Sequence, residues 1–98
     1  MVVYRRLNFL NKVLEIWIQG EVDEKTGGVV TLSEIRGLIK GCKKKLELLT
    51  EENFVKELVW NLGNFLEKKE VDWSKIKVRV WGTQDTYAED ELVNPKKF

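Results

Sequence analysis

Between Lys12 and Gln19 (KVLEIWIQ) apolar and polar positions alternate. Leu14, Ile16 and Ile18 fall on one side of an extended chain, and Glu15, Trp17 and Gln19 on the other. Lys75–Trp81 (KIKVRVW) repeats the pattern, with Ile76, Val78 and Val80 opposed to Lys77, Arg79 and Trp81. Both runs are predicted strands with one wholly apolar face. Val2–Leu7 (VVYRRL) is rich in β-formers and is predicted to be the strand before them. Asn8 and Asn11 flank Phe9-Leu10 in a short connection. Gly20–Gly28 is turn-rich, and Val29-Val30 is a candidate short strand. Gly82–Thr86 (GTQDT) breaks the late strand, Tyr87–Leu92 is predicted as a final short one, and Val93–Phe98 as a tail.

The middle of the chain changes period. Ile35, Leu38, Ile39, Cys42, Leu46 and Leu49 form one helical stripe, opened by the capping box Thr31-Leu-Ser-Glu34. Gly37 and Gly41 lie one turn apart beside it. Each costs roughly 1 kcal/mol of helix propensity against alanine, so a close-packed neighbour is expected there. Thr50 is a good N-cap for a second helix whose first turn carries Glu51 and Glu52. Its stripe is Phe54, Leu58, Leu62, Phe65 and Leu66, widened by Val55, Val59 and Trp60. The order is ββααββ. The fold class expected is α+β: a single domain over residues 1–98, an antiparallel sheet with two helices on one face. The other sheet face would carry Glu15, Trp17, Gln19, Lys77, Arg79 and Trp81, too aromatic for ordinary solvent surface and too charged for a second core.

Composition narrows the chemistry. The 98 residues hold no histidine and one cysteine, which removes His-based zinc sites, Ser-His-Asp triads, Cys-His dyads and internal disulfides. A net charge of +1 gives no field for nucleic acid or an anionic membrane. Lys43-Lys44-Lys45 lies on the polar side of its helix and reads as a solvated face. With no membrane-length apolar run and no signal-peptide pattern, a soluble cytoplasmic domain is expected, and the Lys- and Glu-rich charges lean toward a thermophile surface. Cys42, on the apolar stripe, is expected to be a buried, inert thiol.

The run from Leu14 to Ile35 (LEIWIQGEVDEKTGGVVTLSEI) resembles the 6-pyruvoyl-tetrahydropterin synthase / 6-carboxy-tetrahydropterin synthase family. So do Thr50-Glu-Glu-Asn53 at a helix start and Val78-Arg-Val-Trp-Gly-Thr83 followed by Tyr87-Ala-Glu89. The resemblance spans roughly residues 7 to 92. It implies the tunnelling fold, or T-fold: a ββααββ unit whose sheets join between subunits into a barrel, with ligand sites at subunit interfaces. The family's chemistry does not carry over. Its zinc-binding His-Gly-His-Asn stretch corresponds to Asn8-Phe9-Leu10-Asn11, and no histidine lies on the first strand for the third ligand. The long loop that carries the catalytic cysteine is deleted. The family's Leu-Asp-His corresponds to Leu46-Glu47-Leu48, and its pterin-anchoring glutamate to Gly82.

What persists is Thr50 with Glu52 and Asn53, near the family's pterin pocket. Thr50, Glu52, Thr83 and Gln84 are therefore the candidate ligand-binding residues, for a pterin or purine-like small molecule. Thr50 and Glu52 serve equally as plain capping residues, and Gln84 as a plain turn residue. No catalytic residue, metal or cofactor is expected. Trp17 and Trp81 are the candidate interface residues of a homo-oligomer joined through its sheet edges, where in an isolated chain two indoles would lie in water. The function expected is a catalytically degenerate, zinc-free relative acting as an oligomeric binding or assembly module. The alternatives are a metal-free T-fold enzyme acting on a pterin or purine-like ring, with Glu52, Gln84, Lys77 or Tyr87 as donors, and a regulatory partner of an active paralogue.

Overall fold

The first strand, β1 (Val2–Phe9), turns directly into β2 (Lys12–Gly20). The loop is two residues, Leu10 and Asn11, at φ 51° and 61°. Positive φ at both central positions is what a tight hairpin needs to match strand twist, and asparagine tolerates it well. In the computed structural model, which describes residues 2–20, 32–70, 72–83 and 85–97, the chain continues through α1 (Leu32–Gly41), α2 (Lys43–Glu47) and α3 (Glu51–Lys68). It then returns to β3 (Trp73–Trp81) and β4 (Tyr87–Val93) and ends in a 3-10 turn at Pro95–Lys97. The strands form one antiparallel sheet in the order β1-β2-β3-β4, so the fold is α+β, with helices against one sheet face. Thr31, Gln84 and the Val29-Val30 candidate strand lie outside the described residues.

The core sits between the helices and the inward side of the sheet. Leu14, Ile16 and Ile18 of β2 and Ile76, Val78 and Val80 of β3 are buried against Ile35, Ile39 and the α3 stripe of Phe54, Leu58, Leu62 and Leu66. Each such side chain contributes about 1.5–3 kcal/mol by leaving water, which fixes which sheet face meets the helices. Trp73 closes one end of this core; its indole N–H donates no hydrogen bond among the described residues.

Four expectations need correction. The first helical stripe is not one helix: α1 stops at Gly41 and α2 restarts at Lys43, with Cys42 between them. The stripe stays in phase across the break, so periodicity alone did not mark it. Gly37 and Gly41 do not meet a packed neighbour, since an added Cβ would touch nothing within 4 Å at either. Trp60 does not widen the core stripe; it is 61% exposed. The C-terminal segment is not a plain tail. Asn94 is buried, its backbone N–H donates to the Ser74 carbonyl at 2.9 Å, and its side-chain amide donates to the Trp73 carbonyl at 2.8 Å. These two bonds pin the end of β4 to the start of β3.

Candidate functional site

Strand register arranges the helix-free face in cross-strand rows. Tyr4, Trp17, Lys77 and Glu91 form one row, Arg6, Glu15, Arg79 and Glu89 the next, and Asn8, Val13, Trp81 and Tyr87 the third. Glu15 sits near the middle. One of its carboxylate oxygens accepts the Tyr4 hydroxyl and the other accepts the Trp81 indole N–H. Burial pushes the Glu15 carboxyl upward. The hydrogen bonds from Tyr4 and Trp81, with the charges of Arg79 and Arg6, outweigh it and leave the group below its ordinary 4.5. The same bond to Glu15, with burial and the carboxylate charge, raises the Tyr4 phenol above its ordinary 10.0.

Arg79 organises the neighbouring row. Its Nε donates to Glu89 Oε1 at 2.8 Å, and its guanidinium lies 4.3 Å from the Tyr87 ring centroid, 5.2 Å from Trp17 and 5.7 Å from Trp81. The Lys77 ammonium is 5.0 Å from Trp17 and 3.4 Å from Glu89. Planar cations over indole faces are favourable contacts, more so where water is displaced. Trp17 also packs on Tyr4 at 5.2 Å and Trp81 on Tyr87 at 4.7 Å. Both indoles are therefore half-buried within their own chain, not left in water as the sequence pattern implied.

At the β1–β2 turn end of this face lies a hollow of about 570 Å³, lined by Arg6, Asn11, Val13, Glu15, Trp81 and Thr83. That is within the range of small-molecule sites. Of the predicted ligand residues that are among the described ones, only Thr83 lines it. The Thr83 hydroxyl accepts the backbone N–H groups of Asp85 and Thr86 at 3.3 and 3.2 Å and lies 2.8 Å from the Thr86 hydroxyl, so it also holds the turn. Glu52 lines a different hollow of about 320 Å³ beside β4, with Lys56, Tyr87 and Glu89. Thr50 is the N-cap of α3, accepting the Asn53 N–H at 3.3 Å. The start of α3 nevertheless reaches the β3–β4 turn. The Glu51 carboxylate, bonded to Lys12 Nζ at 2.9 Å, occupies the space that a Cβ at position 82 would take.

Sequence reasoning placed Glu15 on the open face but did not mark it as a site, and it passed over Tyr4 and Arg6. Alternation tells which way a side chain points, whereas the partners of Glu15 come from register across three strands. Cys42 is half-buried, 3.6 Å from the Asn61 amide nitrogen. Among the described residues, no group of three or more His, Cys, Asp or Glu side chains is placed to hold a metal ion, and no helix is long and apolar enough to cross a membrane. No protein-family model, curated protein or solved structure matches the chain.

Proposed function

We propose that the chain is a catalytically degenerate, zinc-free relative of the 6-pyruvoyl/6-carboxy-tetrahydropterin synthases, acting as a homo-oligomeric assembly module joined through its sheet edges. The observation that carries this reading is the opposite charge of the two free edges. The β1 edge bears Arg5 and Arg6, and the β4 edge bears Glu89, Asp90 and Glu91. Arg5 and Asp90 point to the helix side of their strands, and neither takes part in an ion pair among the described residues. Inward charges on an edge strand oppose indiscriminate pairing. Here β1 against β1, or β4 against β4, brings like charges together, while β1 against β4 of a second copy matches them. Such a head-to-tail contact closes into a ring when its rotation permits.

The test is light scattering at micromolar protein. The expected mass is well above the 11.5 kDa of one chain. Arg5→Glu alone and Asp90→Lys alone should each lower that mass, and the two together should restore it. A wild-type monomer, or a double variant that stays as dissociated as the single ones, refutes the proposal.

Glu51 favours the second reading, a metal-free T-fold enzyme acting on a pterin or purine-like ring. Its carboxylate lies beside Gly82, where the resemblance puts a ring-anchoring glutamate.

A further inference from the structure

Arg6 and Glu15 are direct cross-strand partners whose charges feel one another, yet they form no ion pair or hydrogen bond. Opposite residues of adjacent strands have Cβ atoms about 5 Å apart, near enough for an ion pair. The carboxylate is instead drawn sideways, one oxygen to the Tyr4 hydroxyl and one to the Trp81 indole. Among the described residues no hydrogen bond or ion pair engages the Arg6 guanidinium or the Asn11 amide. Both line the hollow that Glu15 and Trp81 also line. Each carboxylate oxygen has a second acceptor site, and the guanidinium has five donors in a fork that fits a carboxylate. The lining of the hollow therefore offers, side by side, a guanidinium with free donors and a carboxylate held in place by Tyr4 and Trp81. The adjoining cross-strand row adds the apolar Val13 and the Trp81 ring.

We propose that this hollow binds a free α-amino acid with an apolar or aromatic side chain. Its carboxylate sits on Arg6, its ammonium on Glu15, and its side chain against Val13 and Trp81. A purely anionic ligand would leave Glu15 facing a like charge, and a purely cationic one would leave Arg6 doing so. A zwitterion whose charges stand one carbon apart satisfies both. Every contact comes from one chain, but Arg6 stands on the edge strand that the pairing above uses, so titration of the Arg5→Glu variant, expected to be dissociated, tests binding apart from assembly.

The test is titration of the full chain with L-phenylalanine, followed by calorimetry and by the Trp81 indole N–H resonance. Saturable binding with a shift of that resonance is expected. Phenylpropanoate, which lacks the ammonium, and phenethylamine, which lacks the carboxylate, should each bind at least about tenfold more weakly, as expected for loss of a charged hydrogen bond. Arg6→Gln, at an exposed position, should weaken L-phenylalanine about as much and should not weaken phenethylamine, whose ammonium gains from loss of the like charge. Unchanged thermal melting of that variant separates lost binding from lost folding. Absence of saturable binding at millimolar L-phenylalanine would overturn the proposal. So would equal affinity for phenylpropanoate, or an Arg6→Gln variant that binds as well as the wild type.

Discussion

Both oxygens of Glu15 are taken by side chains from other strands, Tyr4 eleven residues away in sequence and Trp81 sixty-six away. Those separations are why the residue's role was not legible. The alternation of β2 shows that Glu15 faces away from the helices, but nothing local names its partners. The arrangement has a consequence for acid stability. Glu15 and Glu89 are both pushed up by burial and, more strongly, held down: Glu15 by Tyr4 and Trp81, Glu89 by Arg79 and Lys77. A carboxyl whose folded pKa lies below its unfolded value adds stability that is complete above the unfolded value and fades as pH falls through the folded one. Melting temperature should therefore decline below about pH 4.5, the ordinary carboxyl value. Glu15→Gln keeps the shape but cannot titrate, so its decline should be shallower. Parallel slopes for variant and wild type, from circular dichroism melts across pH 3 to 7, would deny Glu15 this role. Tyr4 acts with the opposite sign. Its raised phenol adds stability that is complete below the ordinary 10.0 and is lost as pH rises through the higher folded value.

At the scale of elements, the two long strands and α3 were legible because each has one unbroken apolar face at a single period. The break at Cys42 was not, because Ile39, Cys42 and Leu46 keep helical spacing across it. Glycines show the same divide. Gly20, at the register shift that ends the β2–β3 pairing, lies against backbone: a Cβ there would stand 2.7 Å from the Trp73 Cα and closer still to the Asp72 carbonyl oxygen. Backbone cannot rotate aside as a side-chain tip can. Gly20→Ala should cost roughly 1–3 kcal/mol by forcing the strands apart. Gly37 is exposed in α1 with open space around it, so Gly37→Ala should stabilise by roughly 0.5–1 kcal/mol. Urea unfolding of both variants checks the pair. Effects of the same sign would show that one of the two environments is wrongly assigned. Nothing in the structure explains why glycine stands at position 37.

For the whole molecule, the sheet order follows the chain order, and that has a kinetic side. Pairing β1 with β2 closes a two-residue loop, and pairing β3 with β4 spans only the short segment after Trp81. The β2–β3 pairing must bring together strands separated by α1, α2 and α3. Closing that long loop carries the largest entropy cost of the three pairings, and it is recovered only when Ile16 and Val78 meet under the helices. The hairpins can form and dissolve quickly while the central seam waits. The seam should therefore set the rate: Ile16→Val and Val78→Ala should slow folding, with much of their stability loss appearing in the folding limb. Substitutions such as Val3→Ala on β1 should mainly speed unfolding. Stopped-flow chevrons for the three variants decide it, and a seam that alters only the unfolding limb would mean that the two halves dock late, after the barrier has been crossed.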